Sequence, residues 1–308
     1  MLEGPFFNAH CHLELSHLRG VIPPGKAFTE WLSEIVKLKR MADNGNSEAG
    51  AQAGITRLRE TGTAVIGDIL SMDTADVPLH EESQRDSAFK AILFREMIDF
   101  NPDHGAAAVD RALIRQKLHD RSAPNIRQAL SPHAPYTVTE PLLISAAAKA
   151  AEHGQWLCIH AAETAEETEM MVEGTGLLRD FLSVILPPNW KAPGMRPIAW
   201  LEACGCLGPR TLLAHCNDVK EEDLAIMRKS GCSAVVCPGT HVYFNRGEFP
   251  LRKLLNAGIP TYLGTDSLAS NEDLDMRREI LLAAELSGLP VERIAPLAAA
   301  DRAAPFFI

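Results

Sequence analysis

Several short apolar runs of this chain end in side chains that can hold a metal ion or move a proton. One closes on Asn8-Ala9-His10-Cys11-His12, another on His160-Ala161-Ala162-Glu163, a third on His215-Cys216 and a fourth on Gly264-Thr265-Asp266-Ser267. Residues i and i+2 of a strand project to one face, so His10 and His12 present paired imidazoles, half of a divalent-metal site. Taken singly, each has an ordinary reading. A lone H-x-H is a weak signal, a lone histidine such as His215 is more often a hydrogen-bonded core residue, and a lone Asp266 is more often a helix cap. The joint pattern is harder to dismiss, because these groups recur at the same point of four separate runs.

The elements that would position them follow from hydrophobic patterning. Eight runs bounded by turn residues occur at Phe6–Leu13, Thr63–Leu70, Phe89–Ile98, Ile126–Ala134, Trp156–Glu163, Thr211–Cys216, Ser233–Pro238 and Pro260–Asp266. They are too short for helices and rich in Val, Ile and Leu, as buried parallel strands are. Between them lie helical periodicities: Trp31, Ile35 and Leu38 after a Thr29 cap; Leu143, Ala147 and Ala150 after Thr139; a segment over 217–230 stopping at Gly231; and Leu274 to Ala284. Alternating strands and helices in eight units predict an α/β chain, a (β/α)8 TIM barrel, whose active-site face lies at the C-terminal ends of the strands. The dinucleotide and P-loop fingerprints are absent from the sequence. The starts of the first and second runs are 57 residues apart, and those of the fifth and sixth 55, more than one helix needs. The excess predicts extra segments over the barrel mouth, the second irregular around Pro187-Pro188-Asn189-Trp190 and Ala192-Pro193-Gly194.

Composition sets the class. The 308 residues are 46% hydrophobic and 23% charged with a net charge of −10, which excludes a disordered or collagen-like chain. An acidic surface repels phosphate backbones and argues against nucleic-acid partners. The basic stretch Lys37-Leu38-Lys39-Arg40 reads as the solvated tail of a helix. Seven scattered cysteines, an odd number, fit a reducing compartment rather than a disulfide framework, and Cys204-Gly205-Cys206 reads as packing. With no apolar stretch of eighteen residues and no basic-then-apolar leader, the expectation is a cytoplasmic protein without membrane attachment, acting on a small-molecule substrate. Self-association is left open.

On Asn8-Ala9-His10-Cys11-His12-Leu13-Glu14, Ser131-Pro132-His133-Ala134-Pro135, His160-Ala161-Ala162-Glu163 and Gly264-Thr265-Asp266-Ser267-Leu268-Ala269-Ser270-Asn271, the chain resembles the amidohydrolase superfamily. The likeness runs from about residue 6 to residue 287 and is to the nucleoside and nucleobase deaminases, particularly those of 6-amino-6-deoxyfutalosine and S-adenosylhomocysteine. It implies that His10, His12, His160 and Asp266 ligate one divalent metal, that Glu163 shuttles protons, and that His215, with Asp266, holds the attacking hydroxide. Three neutral imidazoles and a carboxylate suit zinc best, with iron(II) the alternative, and leave a position for water. Many relatives bridge two metals with a carboxylated lysine after strand four; here no lysine lies between Lys117 and Lys149, which favours one metal. The implied reaction is hydrolytic release of ammonia from an aminopurine nucleoside or related heterocycle. The rival readings are a chlorohydrolase or ring amidase of the same fold, and a non-catalytic metal-binding barrel. The zinc-deaminase signature P-C-x-x-C of an unrelated design is missing.

Substrate contacts are assigned to His133, by the likeness, and to Arg95, whose guanidinium could pair a carboxylate unless it serves a salt bridge to Glu96 or Glu81. Glu14 is a candidate mouth residue, Asp68 reads as structural, and Ser270 and Asn271 reach either substrate or the last helix. Cys237-Pro238-Gly239-Thr240-His241 departs from the C-P-R-S-N of the nucleoside deaminases, leaving His241 as a mouth or surface residue. Full-length relatives carry a small β-sandwich; nine residues before His10 and 42 after Asp266 are too few for it, so the expectation is one barrel domain over 1–308 without that accessory.

Overall fold

The computed structural model describes residues 2–41, 44–72, 74–118 and 123–308. Each predicted run forms a strand: β1 (Phe6–Cys11), β2 (Thr63–Leu70), β3 (Lys90–Met97), β4 (Ile126–Pro132), β5 (Leu157–Ala161), β6 (Thr211–His215), β7 (Ser233–Val236) and β8 (Thr261–Leu263). Neighbours in sequence are neighbours in the sheet, all parallel. A parallel bridge from Cys11 to Asp266 brings the last strand back to the first. There the amides of Thr265 and Asp266 both donate to the His10 carbonyl, at 3.1 and 3.0 Å. With helices filling the crossovers, this is the (β/α)8 barrel that the alternation predicts.

Every strand contributes to the enclosed core, through Phe7, Ile69, Phe94, Ala129, Cys158, Leu212, Val235 and Tyr262. Phe306, in the turn Ala300–Phe307, packs under this core, stacked on Trp156 with ring centroids 4.0 Å apart. Apolar burial at about 25 cal/mol per Å2 makes such layers the main stabilising contribution. The outer strand faces pack on the helices through Leu142, Ile159, Leu213, Leu224 and Ile280, among others.

The long crossovers hold what their length suggests. After β1 come the turn Leu13–Leu18 and the helices Phe28–Met41 and Asn44–Glu60; after β5 come helices Ala165–Glu173, Leu177–Leu182 and Pro197–Ala203, with irregular chain over 187–194. Some helix starts differ from expectation. Thr29 lies inside its helix rather than capping it. The helix ending at Gly231 (φ 73°) begins at Glu221, where the Lys220 amide donates to the Asp223 carboxylate at 2.9 Å. Asp223 therefore caps a helix that starts at Glu221 rather than at residue 217. Among the described residues no helix is long and apolar enough to cross a membrane, and all seven cysteines are buried free thiols.

Candidate active site

The imidazoles converge because the strand ends are irregular. Between Asn8 and Cys11 the register advances three residues on β1 against two on β2, a bulge of the kind that re-aims side chains beside active sites. His10 and His12 end with ring centroids 5.0 Å apart, each within 5.3 Å of the His160 ring. His215 at the end of β6 lies 5.5 Å from His10 and 5.4 Å from His160. Four non-glycine residues here, Ala162 (φ 51°), His215 (φ 75°), Cys216 (φ 51°) and Asp266 (φ 59°), adopt left-handed backbone. That conformation costs about 1–3 kcal/mol per residue, and it persists where surrounding structure holds a site in place.

The donor atoms meet as a cation would require. His10 Nε2 is buried without a hydrogen-bond partner among the described residues, 3.8 Å from Asp266 Oδ1. His12 Nε2 stands 3.6 Å from the same oxygen and 3.2 Å from His160 Nε2. His160 Nδ1 lies 3.0 Å from the His133 carbonyl, to which it donates, so its Nε2 carries the lone pair. Asp266 Oδ2 accepts from Thr240 Oγ1 (3.2 Å) and Ser270 Oγ (3.1 Å), which leaves Oδ1 for the imidazoles. Burial, reinforced by neighbouring imidazoles, holds His10, His12, His133 and His215 well below the ordinary histidine pKa. Burial and the nearby Glu163 push Asp266 up to about 6. Neutral imidazoles with one orphaned nitrogen beside a confined carboxylate fit a divalent metal. The same atoms form the candidate ligand sets His10–His12–Asp266 and His10–His160–His215.

Glu163 follows the strained Ala162. Its Oε2 is 3.8 Å from His215 Nε2, and its Oε1 accepts from Arg246 Nη2 at 2.7 Å. Its own amide donates to Glu167 Oε2 at 2.7 Å, while its carbonyl accepts from Asn217 Nδ2 at 3.1 Å. His133 presents Nδ1 to Thr137 Oγ1 at 2.7 Å and Nε2 toward Glu96 at 3.9 Å. Above these groups opens a cavity of about 380 Å3, walled by Phe28, Trp31, Phe100, Phe181 and Phe244 and floored by His12, His160, Glu163, His215 and Asp266.

The structure brings His10, His12, His133, His160, Glu163, His215 and Asp266 to this one place, but it does not bring Arg95. Phe94 faces the barrel core, so the next residue on the strand must face the helices. There Arg95, 3% exposed, bonds Asp76, 0% exposed, at the start of the helix Val77–Arg85. The expected partner, Glu96 or Glu81, is replaced by Asp76, and the substrate role assigned to Arg95 is withdrawn. Glu96, on the opposite face, lines the cavity instead. Alternation along Phe94-Arg95-Glu96 carried that signal.

Other expectations also shift. Lys39 is no free tail; it bonds Ser71 Oγ at 2.8 Å and pairs with Glu14 at 3.4 Å, at the cavity wall. Glu14 is buried, accepting from the amides of Ser71 and Met72, so it is not a mouth residue. Asp68 is structural as expected, accepting from the Leu13 amide at 2.9 Å. Asn271 bonds the Thr265 carbonyl and Glu279, on the helix Met276–Ser287. His241 is buried, its Nε2 2.9 Å from the Gly247 carbonyl, and not on the surface. Arg246 carries no local sequence signal, because its partner Glu163 lies 83 residues away.

A model of the amidohydrolase family matches residues 5–300. The chain belongs to the amidohydrolase family. It is 32% identical over 298 residues to the aminodeoxyfutalosine deaminase of Deinococcus radiodurans, an alignment covering 93% of this chain and 68% of that one. Among solved structures, an adenosine deaminase from Xanthomonas campestris with bound zinc aligns at a TM-score of 0.77 and 26% identity, over 96% of this chain and 62% of that one. Helicobacter pylori aminofutalosine deaminase, in complex with methylthio-coformycin, shares the fold at a TM-score of 0.84 and 21% identity, over 98% and 74%. The curated relatives are longer proteins, of which this chain spans between 57% and 68%.

Proposed function

We propose that the chain is the catalytic barrel of a mononuclear metal-dependent deaminase, which hydrolyses the exocyclic amine of an adenosine-type nucleoside and releases ammonia. The observation that supports this is the pair of overlapping donor sets His10–His12–Asp266 and His10–His160–His215, with His12 Nε2 3.2 Å from His160 Nε2 and Glu163 3.8 Å from His215. Zinc, which the Xanthomonas campestris relative binds, is the metal best suited to three imidazoles and a carboxylate; bound there it would supply hydroxide near neutral pH. Water adds its oxygen to the amine-bearing ring carbon, the carbon–nitrogen bond breaks, and ammonia leaves. Glu163 takes the proton released by water, delivers it to the ring nitrogen, then transfers a second proton to the departing amine. His215 orients the oxygen nucleophile, and His133, fixed by Thr137, contacts the heterocycle.

The aromatic walls suit a purine with an apolar 5′ substituent, and Glu96 offers an acceptor to sugar hydroxyls. With Arg95 turned away, the cations that line this cavity among the described residues are Lys37, Lys39 and Arg40. We assign to Lys37 and Arg40 a carboxylate at the far end of that substituent. Seven buried free thiols fit a reducing, cytoplasmic setting. The test is coupled ammonia detection across aminodeoxyfutalosine, S-adenosylhomocysteine, 5′-deoxyadenosine, adenosine, AMP and cytosine. The 5′-substituted adenosines should be fastest; a preference for a free base, or chloride release from a chlorotriazine without ammonia release from any nucleoside, would overturn the reading.

A further inference from the structure

We propose that Arg246 is the positioning residue of the proton shuttle: it grips one carboxylate oxygen of Glu163 from behind and so fixes the other toward His215 and the substrate. Glu163 has two equivalent oxygens, and rotation about its last torsion would exchange or misdirect them. Arg246 Nη2 donates to Oε1 at 2.7 Å, which leaves Oε2 on the side of His215 Nε2, 3.8 Å away. A charge-assisted bond of this kind is strong and directional.

Arg246 is itself held on several sides. Its guanidinium lies over the Phe244 ring, 4.7 Å from the centroid, in cation–π contact. Its amide donates to the His241 carbonyl at 3.1 Å, and the His241 ring returns a 2.9 Å contact to the Gly247 carbonyl. That ring packs edge-on against Phe249, with centroids 5.0 Å apart. The departure in Cys237-Pro238-Gly239-Thr240-His241 thereby acquires a use: His241 pins the turn that carries the guanidinium. Arg246 Nη1 is buried with no acceptor among the described residues, a cost that a purely structural ion pair has no reason to carry.

Phe28, Glu163 and Phe244 line two neighbouring cavities. On one side is the metal-facing cavity; on the other is a second cavity of about 630 Å3, lined by Arg246, His241 and Gly247 together with Lys220 and Lys253. Arg246 therefore approaches Glu163 from outside the reaction space, and a small cation can reach its place without crossing the substrate.

The proposal rests on the deaminase reading for its kinetic arm alone. Zinc-loaded wild type, Arg246→Ala, Arg246→Lys and Glu163→Gln are assayed side by side for ammonia release. A misplaced catalytic group costs on the order of 100-fold, so Arg246→Ala should lose about 10- to 100-fold in kcat with KM and zinc content little changed. Arg246→Lys should be intermediate, and millimolar guanidinium, but not urea, should restore part of the Ala variant's kcat. Full activity in Arg246→Ala, loss of zinc along with kcat, or absence of rescue would overturn the proposal. Normal turnover by Glu163→Gln would instead overturn the deaminase reading. A crystal structure of zinc-loaded Arg246→Ala needs no substrate: the Glu163 carboxylate should turn away from His215, and an unchanged orientation would refute the positioning role.

Discussion

Replacing Arg95 by alanine should weaken the fold and spare the chemistry. The guanidinium and its partner Asp76 are 3% and 0% exposed, and the pair lies on the helix side of β3, away from the cavity. Removing one member of a buried ion pair costs about 3–5 kcal/mol. Unfolding entropy near the melting temperature is roughly 2.1 cal/mol/K per residue. For 308 residues that gives about 0.65 kcal/mol/K, so the melting temperature should fall by about 5–8 °C. Replacing both members, as Arg95→Leu with Asp76→Leu, should recover much of the loss, because an apolar pair of similar volume costs little in such a place. Differential scanning calorimetry reads the stability, and kcat/KM measured well below the transition reads the function. An unchanged melting temperature combined with a tenfold or greater loss of kcat/KM for a carboxylate-bearing substrate would refute the reasoning and return Arg95 to the site.

Other consequences can be measured directly. Thr240→Val with Ser270→Ala removes both donors to Asp266 Oδ2 and should weaken zinc binding about 10- to 100-fold, as loss of partners behind a metal ligand does; competition against a chromophoric chelator checks it, and unchanged affinity contradicts the carboxylate's assigned orientation. Burial pushes the Glu279 carboxyl up to about 7 from 4.5. A raised carboxyl contributes stability that is full below pH 4.5 and lost as pH rises through 7, so Glu279→Gln should show a smaller fall in melting temperature between pH 5 and 8 than the wild type. Lys37→Ala with Arg40→Ala should lower kcat/KM at least tenfold for a substrate ending in a carboxylate and leave a neutral 5′-deoxynucleoside within about twofold, one charge-assisted contact being worth about 1.5–3 kcal/mol; equal effects on both substrates would remove these cations from recognition.

The barrel was readable because parallel strands buried on both faces are written as short apolar runs, and each run carried its own turn signals. The residues of the candidate site were readable for the same reason: His10, His12, His160, His215 and Asp266 sit at equivalent points of those runs. What lay beyond was set by packing across long sequence distances. Arg95 was assigned by its charge, whereas the side of the strand it occupies is decided by Phe94 filling the core. Lys39 looked like a solvated tail until the fold placed Glu14 and Glu96 opposite it. His241 and Arg246 gained their roles only once the loop after β7 met the end of β5. Helix starts shifted where a side chain could cap one of several neighbouring positions, as at residues 217–223.

The central claim is that four residues hold one metal and that Glu163 moves the protons beside it. Elemental analysis and ammonia release, measured together on wild type and Glu163→Gln purified without chelator, test it most directly. The account predicts close to one zinc or iron per chain in both proteins, with turnover at least 100-fold lower in the glutamine variant. Two stoichiometric metals, or a glutamine variant that releases ammonia at the wild-type rate, would contradict it.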